Sequence, residues 1–382
     1  MKFNCNKNAL IKEINAAQKV ISQKNSISIV SNVVLTLSDE LLTIKATDAK
    51  IWFETQLPVT VEQTGEIAIF CDKFLNILRA LPDGDIFFSA ADDILSIVPE
   101  KNKSINISLR YQSAESFPQN IEADSSNFFR LTQREFLRMR EHTIFSVSKE
   151  ETRVFVNGVF MEKKDGRLIM VSTDAKRLSY IAIKPENDIP AFEGVIIPPK
   201  FLDLIKDLAY GEGEIALAIV DRTIYARFDN VKISSILIDG QFPNYNKVIP
   251  ESFNYQLNFN RNDFLDTLRR AAIMSDLKNQ NRIFLTINEH NVVIKSSESK
   301  MGEIREEIEG FYVKINTEAP DLSAHPLLMA LNHIFLTEPL KEMDTKDFRF
   351  SFSNENSPIV LAPLPDEGDA DYFHVIMPMQ VD

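Results

Sequence analysis

The sequence predicts an α+β chain made of three tandem units of about 125 residues, each with two helices and about eight antiparallel strands. Three observations carry this. Short segments recur in order at nearly one offset: Thr47-Asp48-Ala49-Lys50 returns as Thr173-Asp174-Ala175-Lys176, Lys73-Phe74-Leu75 as Lys200-Phe201-Leu202, and Phe117-Pro118 as Phe242-Pro243. Residues 33–50 align without a gap on residues 283–300, matching Leu35, Thr36, Ile44, Lys45 and Lys50 with Leu285, Thr286, Ile294, Lys295 and Lys300. Each unit also opens with a helical pattern and continues in period-two alternation. The units read as 1–126, 127–253 and 254–382.

The elements follow in order. Ala9, Leu10, Ile14, Ala17 and Val20 mark the first helix, Phe136, Leu137 and Phe145 its second copy, and Phe264, Leu265, Leu268, Ala272 and Ile273 its third, all near the 3.6-residue period. Asn6, Thr132 and Asn260 stand where N-caps belong. A second helix is expected at 72–81, at 199–209 and at about 322–334. Strands are expected at Ile67 to Phe70, Ile86 to Ser89, Ile105 to Leu109, Ile233 to Ile238 and Phe348 to Phe352. The third copy is irregular, with loop insertions expected at Thr317 to Asp321 and Pro363 to Ala370.

Composition narrows the function classes. With 382 residues, 44% hydrophobic, 25% charged and only 11 Gly, the chain is globular and too long for one core. No stretch reaches the 18 or so apolar residues of a spanning helix, and no secretory h-region opens the chain, so a cytoplasmic location is expected. Cys5 and Cys71 lack metal or redox spacing and read as free thiols. The His residues at 142, 290, 325, 333 and 374 show no metal spacing, and no nucleophile-elbow, Walker or dinucleotide motif occurs. Asp48 and Asp174 recur with the repeat and read as turn builders. No catalytic residue, metal ligand or cofactor is assigned, and the expectation is a non-enzyme.

Forty-two Lys and Arg against 55 Asp and Glu leave a net charge of −13, which argues against coating nucleic acid with the whole surface. The charge is uneven. The first-helix segments carry Lys7, Lys12, Lys19, Lys24, Arg134, Arg138, Arg140, Arg261, Arg269, Arg270 and Lys278 against Glu13, Glu135, Glu141, Asp263, Asp266 and Asp276, a surplus of about +5.

The three units, the TDAKRL segment at 173–178, the DGQFPNY segment at 239–245 and HVIMPMQV at 374–381 together resemble the bacterial sliding clamp family, the beta subunits of the DNA polymerase III holoenzyme. The resemblance spans the chain. It implies the DNA clamp fold and a homodimer closed head to tail into a ring of six domains around double-stranded DNA, bound without sequence preference. Helices packed 8 to 10 Å apart agree with that number: six would leave a bore of only about 10 Å, whereas twelve leave about 25 to 28 Å, room for a duplex. The implied partners are the clamp loader complex, the replicative polymerase alpha subunit, and other polymerases, ligase and mismatch-repair proteins that carry clamp-binding peptides.

Carried over residue by residue, the resemblance implies a hydrophobic peptide cleft lined by Val156, Thr173, Ala175, Lys176, Arg177, Leu178, Pro243, Lys247, Val248, Val375, Ile376, Met377, Pro378 and Met379. Adaptable Met side chains suit varied apolar anchors, and Lys176 and Arg177 are expected to hold carbonyls or an acidic residue. Lys176 stands where the family often has His, and Gln380-Val381-Asp382 replaces an Arg-Leu ending, which implies an altered peptide preference. DNA contacts are implied at Lys24 and Arg153, with Lys12, Arg138 and Arg269 among the lining cations. Subunit closure is implied between Ile273 and Met274 of one copy and Ile107 and Leu109 of the other. The competing reading is a peptide-binding scaffold that never encircles DNA.

Overall fold

Six α-helices occur among the described residues: α1 (Lys7–Val20), α2 (Cys71–Ala80), α3 (Gln133–Glu141), α4 (Pro199–Leu208), α5 (Arg261–Ile273) and α6 (His333–Glu342). The structure is a computed structural model and describes residues 1–21, 29–150, 152–274, 281–289, 291–296, 302–365 and 370–381. Asn6 caps α1 by accepting from the amides of Asn8 and Ala9, and Asn260 caps α5 through Asn262 and Asp263. Thr132 directly precedes α3, which ends at Glu141; Phe145 belongs to a separate 3-10 turn, Ile144–Ser146.

The chain divides into two compact units. Unit 1 holds Met1–Arg134, Asn187–Pro190 and Lys200–Leu237. Unit 2 holds Glu135–Glu186, Ala191–Pro199 and Ile238–Asp382, so the middle third of the chain is shared between the two.

Unit 1 has two antiparallel sheets. The first runs Thr60–Gln63, Lys2–Asn6, Asp85–Ala91, Ile94–Pro99, Ile107–Arg110. The second runs Phe129–Thr132, Glu214–Val220, Thr223–Phe228, Val231–Ile236, Ile51–Pro58, Leu41–Thr47, Asn32–Ser38, Gly65–Phe70. Helix α1 lies against α2 and the strands Leu41–Thr47 and Ile51–Pro58, burying Leu10, Ile14 and Ala17 completely. At that contact Thr55 donates to the buried carboxylate of Glu13 at 2.7 Å.

Unit 2 repeats the plan. One sheet runs Val195–Ile197, Val159–Lys164, Arg167–Thr173, Arg177–Ile183, Ala370–Ile376, Ile359–Leu364, Asp347–Phe352, Tyr255–Asn260, Phe311–Lys314. The other runs Arg305–Glu309, Asn291–Ser296, Arg282–Ile287, Leu327–Asn332. Helix α5 lies on α6 and on the strands Asn291–Ser296 and Arg305–Glu309.

Two devices recur three times and show that the repeat is structural. The first residue of each opening helix donates its amide to the residue just ahead of the strand that follows the second helix: Lys7 to Gly84 O (3.0 Å), Gln133 to Gly213 O (2.9 Å), Arg261 to Lys346 O (2.9 Å). A single bridge then ties the chain after each last strand to an edge strand, at Ala68–Gln112, Ile196–Ile238 and Ala330–Met379. Side chains reinforce the first device. Lys7 Nζ donates to Leu81 O at 2.7 Å beside Asp83, Arg261 donates to Leu340 O and Met343 O, and Gln133 Oε1 accepts from Gly211 N at 3.1 Å. Lys7 and Arg261 thereby satisfy carbonyls that the C-terminal ends of α2 and α6 leave open. Lys7 and Arg261 are therefore spent on capping, which lowers the surplus of available cations expected from the sequence.

One helix departs from expectation. Of the expected span 322–334 only the last two residues are helical; Leu327–Asn332 is a strand paired with Arg282–Ile287, and α6 begins at His333. The insertion around Thr317 to Asp321 moves the helix: α2 and α6 begin 262 residues apart (333 − 71) rather than two periods of 125. A short apolar run such as Leu327 to Leu331 carries no period that separates strand from helix. Of the other expected insertion, Pro363 and Leu364 lie in the strand Ile359–Leu364, and 366–369 are outside the described residues.

A candidate peptide cleft at the second sheet junction

All fourteen expected cleft residues lie in unit 2, around the junction of the strands Arg177–Ile183 and Ala370–Ile376. Seven residue pairs join these strands, from Arg177↔Ile376 to Ile183↔Ala370. The turn ahead of Arg177 is built by the residues that recur. Thr173 Oγ1 accepts from Ala175 N (3.1 Å) and donates to Arg177 O (2.6 Å), while Asp174 Oδ1 accepts from the amides of Lys176 (3.0 Å) and Arg177 (3.1 Å). Ala175 takes a φ of 70°, which leaves Lys176 exposed at the tip. The first copy forms the same turn, with Thr47 bonded to Ile51 O (2.7 Å), Asp48 to Lys50 N (2.9 Å) and a φ of 72° at Ala49. Both aspartates are thus turn builders.

The C-terminal segment completes the wall. Met377 N donates to Lys176 O at 2.9 Å and Met379 N to Ala330 O at 2.8 Å, so Met377, Pro378 and Met379 leave one sheet and reach the edge of the other. Val375 and Ile376 are buried, but Met377 is 41% exposed and Val248 48% exposed. Pro243 and Lys247 are exposed, and Val156 and Leu178 lie below in an apolar layer with Phe242, Tyr245 and Val360. The expected lining is thereby sorted: Val156, Leu178, Val375 and Ile376 form the floor, and Ala175, Lys176, Pro243, Lys247, Val248 and Met377 face solvent, with Thr173, Pro378 and Met379 half-buried between them.

Arg177 does something other than the sequence suggests. Its Nε pairs with Asp174 (3.0 Å), its Nη1 with the Glu338 carboxylate, and its Nη2 donates to Phe145 O (2.5 Å). The guanidinium lies over Phe335, 4.4 Å from the ring centroid, and is only 10% exposed. A planar donor fork so fully used holds the turn against α6 and is not offered to a peptide. Sequence reading missed these contacts: Glu338 and Phe335 are distant in the chain and carry no motif, and Phe145 read only as part of a helical pattern.

A second unforeseen feature lies beneath the junction. His142 and His374 are buried at 2% and 1% exposure; His374 Nδ1 meets Ser179 Oγ at 2.9 Å, and His142 stacks on Tyr372 at 4.0 Å. Burial, with Arg138 beside it, drives His142 down to about 3, and burial with His142 and Arg177 nearby holds His374 well below the usual imidazole value.

The other expected residues fall into separate places. Lys12 is exposed, its ammonium 5.2 Å from the centre of the Tyr210 ring, and a hydrogen bond to Tyr210 raises it above the usual lysine value. Arg269 is exposed and pairs with Asp266 at 3.0 Å. Arg138 is half-buried with its guanidinium over Tyr372 at 5.7 Å, and Arg153 is exposed. Lys24, Lys278, Asp276 and His290 lie outside the described residues. Ile107 and Leu109 are half-buried on the edge strand of the first sheet of unit 1. Ile273 ends α5 at 70% exposure, and Met274 is half-buried. Cys5 and Cys71 are free and buried, each pushed up to about 12 by desolvation. No cluster of three or more metal-ligating side chains occurs among the described residues.

Comparison with known proteins places this geometry. Family models of the DNA polymerase III beta subunit match throughout: the N-terminal domain at residues 1–122, the central domain at 130–244 and the C-terminal domain at 246–380. The beta sliding clamp of Treponema pallidum is 38% identical over 386 residues, with 100% of both chains covered. That of Rickettsia bellii is 29% identical, covering 97% of each. The crystal structure of the DNA polymerase sliding clamp from Bacillus subtilis shares the fold, with a TM-score of 0.92 at 22% identity and full coverage of both chains. On the family matches and the Treponema identity, the chain belongs to the family of DNA polymerase III beta subunits, the beta sliding clamps.

Proposed function

We propose that this chain is a DNA sliding clamp that encircles duplex DNA without sequence preference and tethers the replicative polymerase during DNA replication. The observation that carries the reading is a pattern of strand edges. In two places the last strand of one sequence repeat joins the strand after the Thr-Asp-Ala-Lys turn of another: Val231–Ile236 on Ile51–Pro58, and Ala370–Ile376 on Arg177–Ile183. The third pair of such strands, Ile107–Arg110 and Arg305–Glu309, is left as two sheet edges among the described residues. Open edges invite pairing, and head-to-tail closure by a second copy uses both. Charge supports the match: Lys101, Lys103 and Arg110 are exposed around one edge, and Glu303, Glu307 and Glu309 around the other. Ile107, Leu109, Ile273 and Met274 are the apolar residues we assign to this contact.

The domains of this reading are 1–126, 127–253 and 254–382. Lys12, Arg153 and Arg269, with Lys24 and Arg138, are the cations assigned to DNA, where loose phosphate contact suits a protein that must slide. The cleft takes peptides from the polymerase, the clamp loader, ligase and repair proteins. The role is non-catalytic and cytoplasmic; no helix among the described residues is long and apolar enough to cross a membrane.

The test is topological. Protein loaded onto circular DNA by a clamp loader should stay bound and be lost when the circle is cut. Equal retention on linear and circular DNA would favour a scaffold that binds peptides without encircling DNA. Charged replacements of Ile273 and Met274 should give monomers by sedimentation, and a stable dimer would reject the assigned interface.

A further inference from the structure

Unit 1 contains a cavity of about 240 Å3 beneath the segment 114–122. It lies at the first sheet junction, where the internal repeat puts the counterpart of the apolar layer in unit 2. There, Phe160 stacks on Phe242 at 4.8 Å, Tyr180 on Phe373 at 4.8 Å, and Tyr245 packs beside both pairs. The counterparts in unit 1 are Val34 for Phe160, Glu54 for Tyr180, Lys232 for Phe373 and Asn120 for Tyr245. Register confirms the match of one pair, since Tyr180 faces Phe373 and Glu54 faces Lys232 across equivalent strand joints. Only Phe117, the counterpart of Phe242, keeps its ring, and it lines the cavity. Four rings of unit 2 are thus absent here and two are added, Trp52 and Tyr225 standing where unit 2 has Leu178 and Val360, and the space left open beside them has room for an aromatic ring.

The walls are not inert. Trp52 and Tyr225 supply aromatic surface, and Trp52 Nε1 is buried with no hydrogen-bond partner among the described residues. Six charges line the space, and five are engaged. Lys232 pairs with Glu54 and Glu122 at 3.0 Å each, Arg227 lies 3.8 Å from Glu122, and Glu66 accepts from Thr36 at 2.6 Å. Lys45 is the sixth: it makes no ion pair within 4.0 Å among the described residues, although it faces Glu54 across the strands and its charge helps hold Glu122 below the usual carboxylate value. A cavity of roughly 150 Å3 takes a benzene ring, so the additional volume here admits a short polar arm.

We propose that this cavity is a second ligand site, distinct from the peptide cleft, that binds a small aromatic carboxylate with its ring against Trp52 and Tyr225 and its carboxylate on Lys45. The pairing gives the ammonium a direct hydrogen-bonded counter-ion, which neither Glu54 nor Glu122 supplies, and fills the space left open over the joint. This goes beyond the clamp reading and does not depend on it.

Trp52 is the sole tryptophan of the chain, so its emission reports this site directly. The full chain is titrated with 3-phenylpropionate and, in parallel, with the neutral 3-phenylpropanamide. A saturable change in Trp52 emission with half-saturation at or below about 1 mM is expected for the acid, with the amide at least tenfold weaker. Lys45→Gln should bring acid and amide to equal, weak binding. Asn120→Tyr and Val34→Phe install the rings of the second copy, and whichever variant keeps the natural circular dichroism spectrum should lose the response. No saturable response, equal binding of acid and amide to the natural protein, or an unchanged response in a folded ring-installed variant would each overturn the proposal. Retention on circular DNA, read separately, keeps its failure distinct from failure of the clamp reading.

Discussion

The two sheet junctions are joined alike and covered differently. In unit 1 Ile236 N bonds Lys50 O at 2.9 Å, and in unit 2 Met377 N bonds Lys176 O at 2.9 Å, so the backbone joint is one design used twice. The side chains over it diverge. Unit 2 lays a continuous apolar layer of Val156, Leu178, Phe242, Tyr245 and their neighbours across the joint. Unit 1 has two small apolar groups, one around Phe117 and one around Tyr225, with Lys232, Glu54 and Glu122 between them. Even the turn aspartates differ in partner: Asp174 holds Arg177 of its own turn, whereas Asp48 holds Lys200 of α4 at 2.7 Å. Main-chain pairing sets the joint, and the side chains above it are free to become an apolar layer in one copy and a charged cavity in the other.

The sharpest way to break this contrast is to remove a ring from the apolar layer. Phe242→Ala should destabilise unit 2 by about 3 to 5 kcal/mol, the usual cost of emptying a buried Phe site. Segment-resolved hydrogen exchange should show lost protection in 238–253 and in the strands below; protection equal to the natural protein would mean that the layer does not hold the joint.

Binding separates the copies next. Met377 and its counterpart Ile236 are similarly exposed, at 41% and 39%. Met377→Ser, or removal of the last six residues, should weaken a polymerase-tail peptide at least a hundredfold, about 2.7 kcal/mol, and Ile236→Ser should leave it unchanged. Fluorescence anisotropy decides, and equal effects of the two serines would erase the functional asymmetry of the junctions.

Acid should then distinguish the units, because unit 1 contains no histidine while unit 2 buries His142 and His374. Both are held neutral, below their unfolded value of about 6.5. The unfolded chain takes up protons that the folded one refuses, so this stability is full above about pH 6.5 and is lost as the pH falls toward the folded values. With His142 at about 3, it alone should cost unit 2 about 2 kcal/mol at pH 5. Asp48, Asp83 and Glu122 of unit 1 are held below their ordinary carboxylate values, so unit 1 should hold until the pH drops further. Exchange at pH 7 and pH 5 that loosened both units equally would contradict the assignment.

The smallest effect belongs to the charged junction. Burial works against the Lys232 ammonium, but Glu54 and Glu122 outweigh it and leave it above the usual lysine value. Its side chain is 42% exposed, so Lys232→Met should cost less than about 1 kcal/mol, less again in high salt. A loss comparable to that of Phe242→Ala in denaturant melts would show that the charged layer bears as much as the apolar one.

Much of the fold was legible because it is written locally. Asn6 and Asn260 cap helices where they were expected to, and the Thr-Asp-Ala-Lys turns close through their own side chains. Five of the six helices fall close to their expected places. The sixth was misplaced because an insertion breaks the offset and an apolar run has no decisive period. The cleft residues gather in one unit, yet which of them face solvent could not be read from their order. Leu178 and Met377 are both apolar and both near the joint, but one is the floor and the other the rim.

By itself the sequence determined the threefold repeat, the caps, the turns and the alternation of each strand, because each depends on residues a few positions apart. Only the tertiary structure decided the rest. It shared the middle third of the chain between two units, spent Lys7, Arg261 and Arg177 on internal contacts, buried two imidazoles under one junction and opened a cavity under the other. These outcomes rest on which edges meet and which side chains compete for the same space, and residues far apart in the chain settle that together, from 74 positions for Lys7 and Leu81 to 161 for Arg177 and Glu338.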